Sequence, residues 1–485
     1  MPPRASLKAF LATARAALTA PPSKRPSPLT FVVGNESADL DSLCSALLLA
    51  YFHTYAPPKR RASISDGSVA TSTLHIPVCH LYRADLALRP EFAAVLGDAD
   101  VGGADMVTLE DVLPSRPDGE PLTDNSHNNA RREQEKEEVE EGGGGGGPIP
   151  PASTRWLLVD HNALTGRLAT RFAARVIGCV DHHADEGAVP RDAEPRVIET
   201  SGSCASLVLE LCASRWAALQ SGAGNPGEGA KIDAQLARLA LAPILIDTVN
   251  MTDESKTTAH DERAVGIAEG KIAAYATYQS QVQARDVGEQ VQASEAGEQV
   301  QQYDRTALFA RVAALKDDIA SMSPRDVLRK DYKEWRGADA GGLRLGTSSV
   351  PRGFAYLVAT QGRGDAAALI SSLAEWGAEK DDGGGGKMDL VVLLTTFQDE
   401  EGRFTRELLV WARSEAGVEA AKRFEEMRRE TLGLETWGGG VLDGEGRGEW
   451  RRCWRQGAVE HGRKQIAPML REALEEVDGD EVWWW

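Results

Sequence analysis

Apolar residues along this chain fall into short runs that repeatedly stop at an acid. Phe31 to Val33 is a β-branched and aromatic run that ends at Gly34, crosses a polar loop holding Asp39 and Asp41, and re-emerges as the helical run Leu43 to Tyr51. The pattern predicts strand, loop, helix. A second apolar run, Ile76 to Leu81, leads into YRADLALRPEF with Arg83 and Arg89. Trp156 to Asp160 is followed at once by His161 and Asn162, and Val176 to Val180 runs into Asp181, His182 and His183. Helical patterns follow at Cys204 to Leu219, announced by TSGS at 200–203, and at Asp233 to Ile246, which closes on Asp247; KTTAHDERAV, with Asp261, opens the next helix. Strands alternating with helices predict an α/β domain with a mostly parallel sheet flanked by helices. Its acidic loops then lie at the carboxyl ends of the strands, where open α/β sheets bind ligands.

From Asp304 onward the pattern predicts a smaller α+β domain. Helices are expected at Thr306 to Met322, Pro324 to Arg329, Asp365 to Gly377 and Ala416 to Glu430. Strands are expected at Leu343 to Ser349, Phe354 to Thr360, Asp389 to Phe397 and Phe404 to Trp411. RKDYKEW carries Lys333, and a final helical segment at GRKQIAPML carries Arg463 and Lys464. The expected division is 1–278 for the first domain, 279–303 for a linker containing GEQVQ twice, and 304–485 for the second domain. Residues 115–152, charged and then glycine-rich, cannot build a core and read as a disordered insertion. The terminal WWW has no clear physical reading.

Composition narrows the function classes. At 485 residues the chain is too long for one ordinary domain. Lys+Arg 54 against Asp+Glu 73 gives a net charge of -19, which excludes a general nucleic-acid or membrane-surface binder, although part of the acidic excess sits in the insertion. No apolar run reaches the roughly 18 residues needed to span a bilayer. Six cysteines without a C-x-x-C pair read as reduced core residues of a cytoplasmic protein. Residues 1–35 contain no acid but hold Arg4, Lys8, Arg15, Lys24 and Arg25, the composition of a mitochondrial presequence. Leu7, Phe10, Leu11, Ala14 and Leu18 fall at helical spacing, however, and favour a helix packed on the domain. A monomer is the favoured state.

Collected, the polar residues at element ends are Asp39, Asp41, Asp160, His182, His183 and Asp247. Four carboxylates and a histidine pair suit two divalent ions roughly 3.5–4 Å apart, which clamp the attacking and leaving oxygens of an in-line phosphoryl displacement. Singly, each has a plainer reading: the aspartates as helix caps, His182 as a core histidine. The amino terminus after TSGS suits a bound phosphate and an ordinary cap equally.

VVGNESADLDS, LLVDHN, CVDHH and ILIDTVN resemble the ordered motifs of the DHH phosphoesterase superfamily. RKDYKEW and GRKQIAPML resemble the second domain shared by family II inorganic pyrophosphatases and cytosolic exopolyphosphatases. The resemblance implies that Asp39 and Asp160 hold one metal and that Asp41, Asp160, His182 and Asp247 hold the other, with Asp160 bridging. The ions would be Mg, Mn or Co. His183 would contact substrate or handle protons. Lys333, Arg463 and Lys464 would bind phosphate from the second domain, across a cleft between the two. Where the pyrophosphatases place a metal-binding histidine this chain has Asn35, as in the exopolyphosphatase version of the loop, and Asn35 joins Asp160 and His183 among the expected catalytic residues. The related prune proteins carry DHR where this chain has Asp181, His182 and His183. The expected activity is therefore hydrolysis of the terminal phosphoanhydride of inorganic polyphosphate. Pyrophosphatase, prune-like nucleotide phosphodiesterase and a catalytically weak scaffold protein are the alternatives.

Overall fold

The computed structural model describes residues 4–56, 74–113, 149–219, 226–289, 303–337, 342–381 and 386–480. Most of the expected insertion, most of its second-domain glycine loop, the second GEQVQ and the WWW terminus lie outside them. The chain divides into two compact units between Lys316 and Asp317.

The first unit is built on six parallel strands: β1 (Leu29–Val33), β2 (His75–Cys79), β3 (Val107–Thr108), β4 (Thr154–Val159), β5 (Val176–Asp181) and β6 (Arg196–Ile198). Their order is β3-β2-β1-β4-β5-β6. Connections run one way from β1 to β3 and the other way from β4 to β6, so the order reverses between β1 and β4. Such a switch point leaves a crevice at the carboxyl ends of the two central strands. The helices are α1 (Leu7–Thr19), α2 (Leu40–Tyr55), α3 (Pro90–Gly97), α4 (Leu109–Val112), α5 (Gly166–Phe172), α6 (Cys204–Leu219), α7 (Pro226–Asp247), α8 (Ala259–Glu289) and α9 (Arg305–Asp317). All 16 residues of α2 are buried. It packs against β1, β2, α6 and α7, so no face is left to solvent and its sequence shows no single apolar stripe. The N-terminal segment forms α1, capped by Ser6 and buried through Leu7, Phe10, Leu11, Ala14 and Leu18. Helix α8 extends to Glu289, so the first part of the expected linker is helical. Ile149, at the end of the expected insertion, is buried in the core that precedes β4.

The second unit holds a mixed sheet in the order β12-β14-β11-β9-β8-β7. Its elements are α10 (Pro324–Lys330), β7 (Tyr332–Arg336), β8 (Arg344–Val350), α11 (Phe354–Thr360), α12 (Ala366–Asp381), β9 (Leu390–Thr395), β10 (Phe397–Gln398), β11 (Phe404–Ala412), α13 (Glu415–Leu432), β12 (Leu434–Thr436), β13 (Gly444–Gly446), β14 (Glu449–Gln456) and α14 (Arg463–Asp480). One expectation fails: Phe354 to Thr360 is a helix, not a strand. The buried Glu407 carboxylate on β11 accepts the Phe354 amide at 2.6 Å, which holds the first turn, and Phe354 and Leu357 then pack inward. All six cysteines are buried and free. Among the described residues no helix is long and apolar enough to cross a membrane.

Candidate metal centre

The crevice between β1 and β4 gathers the acidic loops. Asp160 follows β4 directly, and His182 and His183 follow β5. The two Asp160 carboxylate oxygens have separate duties. Oδ1 lies 3.1 Å from His182 Nε2 and 3.8 Å from His183 Nδ1. Oδ2 accepts from Ser42 Oγ at 2.6 Å and from the Asn35 amide at 2.8 Å. Asp160 is buried and takes a left-handed backbone with φ 60. That conformation is costly for most side chains but tolerated by Asp and Asn.

Asp41 sits in the first turn of α2, with Oδ2 4.0 Å from His182 Nε2. Its oxygens also accept the Cys204 and Ala205 amides at 2.6 and 2.9 Å, at the start of α6. Asp261 takes the Gly202 and Ser203 amides just before them. The amino terminus after TSGS is thus served by two aspartates, which decides for a cap; neither Ser nor Gly of the motif supplies it. Asp39 is exposed and caps α2 through the Ser42 amide at 3.1 Å. Asp247, the last residue of α7, has a buried Oδ2 with no partner among the described residues. The turn that follows it carries three successive left-handed residues, Val249, Asn250 and Met251 at φ 53, 58 and 63. Backbone strain of this kind persists where surroundings over-determine it, commonly at functional sites.

Electrostatics marks the cluster as short of positive charge. Burial, then the charges of Asp39 and Asp41, push Asp160 up to about 7. Burial likewise raises Asp41, partly offset by His182, and raises Asp247 well above the ordinary carboxylate range with Asp41 and Asp39 adding to it. Burial works against charge on His182, but Asp160 and Asp41 overcome it and hold the imidazole at about 10. Asp181 is opposite: burial would raise it, yet hydrogen bonds from His183 and Asn162 bring it below the ordinary range.

These features fit divalent cations. Oxygen and imidazole donors converge, Asp247 Oδ2 lacks a partner, and the His182 Nδ1–H is held by the Ser201 carbonyl at 2.9 Å, which aims Nε2 at the acids. Metal-ligating histidines are commonly oriented in this way. Asp160, His182 and His183 together offer ligand atoms within 4.8 Å of one another. Asn35 is placed differently from a ligand: its Oδ1 accepts the Ala38 amide at 3.2 Å while its amide nitrogen faces Asp160. His183 donates Nδ1–H to Asp181 Oδ1 at 2.8 Å and stays partly exposed.

Several contributors escaped sequence reasoning. Ser42, adjacent to Asp41, anchors Asp160; Asn162 donates to Asp181 at 2.6 Å; and His80 at the tip of β2 holds the Gly34 carbonyl at 3.1 Å. Ser42 and Asn162 left a signal, as the residues completing D-x-D-S and LLVDHN. In the second unit, Arg463 at the start of α14 reaches the Asp331 carbonyl and carboxylate at 2.9 and 2.8 Å, two residues before Lys333 on β7. Lys464 beside it is exposed.

The sequence matches the DHH family, N-terminal domain, over residues 30–244 and the DHHA2 domain over residues 311–473. A protein of Schizosaccharomyces pombe named "Putative exopolyphosphatase" is 27% identical over 459 residues, covering 94% of this chain and 93% of that protein. Both domain matches occur in order, and the strand-end acids and histidines lie in and just beyond the first, so the chain belongs to the DHH superfamily of phosphoesterases.

Proposed function

We propose that this protein is a metal-dependent exopolyphosphatase. Water adds to the terminal phosphorus of inorganic polyphosphate, the terminal P–O–P bridge breaks, and orthophosphate leaves a chain one unit shorter. The observation that carries the reading is the position of Asp160, whose Oδ1 faces His182 while Ser42 and Asn35 hold Oδ2. The likeness to a relative named for polyphosphate, over nearly the whole of both chains, supports the choice of substrate. Asp39, Asp41, Asp160, His182 and Asp247 would hold two divalent ions. When bound, such ions supply Lewis acidity toward phosphoryl oxygens and lower the pKa of water. His183, oriented by Asp181, presents Nε2 for proton transfer. Lys333, Arg463 and Lys464 are proposed as phosphate-binding residues of the second unit, where charge-assisted hydrogen bonds would offset the negative charge of polyphosphate.

The test is phosphate release from long-chain polyphosphate, pyrophosphate and cyclic nucleotides with Mg²⁺, Mn²⁺ or Co²⁺. Polyphosphate is expected to be the best substrate, and failure to hydrolyse it with any of the three ions overturns the proposal. Asn35→His run in the same panel should raise the pyrophosphate-to-polyphosphate ratio of kcat/KM. The exchange introduces an imidazole and removes the amide that bonds Ala38 and Asp160 together. An unchanged ratio would detach Asn35 from substrate choice.

Metal dependence should appear in stability as well. Asp160 and His182 both have folded pKa values above their ordinary ones, so their contributions are present below the ordinary values and vanish as pH rises. That loss passes through about 7 for Asp160 and about 10 for His182. Metal-free protein should therefore melt at falling temperature from about pH 6 to 10, while bound metal, which competes with those protons, gains effect. At a metal concentration 100-fold above Kd the gain is about 2.7 kcal/mol, roughly 4 °C in Tm for a unit of this size. Melting curves with and without Mn²⁺ across that pH range check the sign; a Mn²⁺ effect that shrinks as pH rises contradicts it.

A further inference from the structure

Arg89 is buried, yet the groups that meet its guanidinium are backbone carbonyls. Nε donates to the Ala38 carbonyl at 3.0 Å, Nη2 to Ser37 at 2.6 Å and Nη1 to Leu88 at 3.3 Å. Ser37 and Ala38 belong to the loop that delivers Asp39 and Asp41. The loop is a tight turn: the Ala38 amide returns to the Asn35 carbonyl at 3.1 Å, and Ala38 stands at φ 43. Alanine in the left-handed region costs about 1–2 kcal/mol and needs outside support. Arg89 itself is placed by Pro90, the first residue of α3, whose Phe92, Val95 and Leu96 pack in the same core as α2. Helix α3 thus carries a rigid planar fork to the outside of the turn.

We propose that Arg89 is a positioning residue for the metal-binding loop: it clamps the Ser37–Ala38 turn so that Asp39 and Asp41 emerge at a fixed distance from Asp160. The proposal rests on the reading of this site as a divalent-metal centre. Geometry requires the clamp because Asp39 starts α2 one residue after Ala38, and Ser42, one turn on, ties that helix to Asp160 Oδ2. Releasing the two carbonyls lets the turn relax toward an ordinary backbone and moves the start of α2. Lysine keeps the charge but lacks the fork that engages two carbonyls together.

The experiment compares wild type, Arg89→Lys and Arg89→Gln by calorimetric titration with Mn²⁺ alone, by hydrogen exchange of residues 36–42 without metal, and by melting temperature. Arg89→Gln is expected to weaken Mn²⁺ binding about 10–100-fold, the range seen when support of a metal ligand is removed. Its loop amides should exchange faster, and Arg89→Lys should fall between. If Arg89→Gln does not fold, Arg89→Lys decides, with weaker binding and faster loop exchange expected. A folded variant that melts lower but binds Mn²⁺ as wild type does, with unchanged loop exchange, overturns the clamp and leaves Arg89 as core support. If wild type binds no divalent ion, the functional reading falls, while loop exchange in the metal-free proteins still reports on the clamp: faster exchange in the variants upholds it and equal exchange refutes it.

Discussion

Asparagine in place of Asp160 is expected to cut phosphate release from polyphosphate by about 10²–10³-fold, the scale on which loss of a transition-state electrostatic contact is felt. Asparagine is a cleaner choice than alanine because residue 160 stands at φ 60, which alanine adopts only with strain. The amide oxygen can still accept from Ser42 and Asn35, so the two donors on Oδ2 need not be orphaned. What disappears is the charged oxygen facing His182. Two readouts should move together: turnover falls, and the rise in melting temperature that Mn²⁺ gives wild type is lost. Retained turnover in Asp160→Asn would remove this carboxylate from the chemistry. Lost turnover with the Mn²⁺ response intact would keep Asp160 in catalysis but take it out of the ligand set.

How much of this could be read from residues alone depended on the range of the forces involved. Buried parallel strands are near-continuous apolar runs, and β1, β2, β4 and β5 each showed as such a run, three of them ending in or before the polar residues of the site. The adjacency of β1 and β4, which creates the crevice, did not show. The chain leaves β1, builds β2 and β3, and crosses the charged segment before Thr154, so only the sheet itself brings Asn35 beside Asp160. In the second unit Phe354 to Thr360 is apolar enough for either strand or helix, and a carboxylate 53 positions away settles it. Strand β14 was hidden by Arg451, Arg452 and Arg455, which alternate imperfectly with the buried Trp450, Cys453 and Trp454. At the site, the acids of D-x-D were visible because their chemistry is in their side chains. Arg89 and His80 act on backbone carbonyls, a partnership that leaves no residue pattern. The TSGS segment shows the same limit, since its Gly202 and Ser203 amides are taken by Asp261 and the Cys204 and Ala205 amides that follow it by Asp41, both from elsewhere in the chain.

Glutamine at His183 is expected to lower kcat by about 10²–10⁴-fold, the usual contribution of a positioned general acid or base, with KM changed much less. The expectation follows from how the ring is held. Asp181, buried and kept charged by its hydrogen bonds, accepts the Nδ1 proton of His183 at 2.8 Å. Neutral imidazole held in this way carries its lone pair on Nε2, and when Nε2 gains a proton the same carboxylate stabilises the cation. Asn162 fixes Asp181 in turn, at 2.6 Å. Asp181→Asn should therefore reproduce part of the His183→Gln defect by letting the ring choose the other tautomer, and the double variant should cost little more than His183→Gln alone. Calorimetry with Mn²⁺ separates this role from its rival. His183 Nδ1 lies 3.8 Å from Asp160 Oδ1, near enough to join a ligand set if the ring released Asp181. If His183→Gln binds Mn²⁺ as wild type does while kcat falls, the imidazole moves protons. If Mn²⁺ affinity falls with kcat, His183 is a ligand, and the Asp181 contact holds it ready for the ion instead of for the substrate.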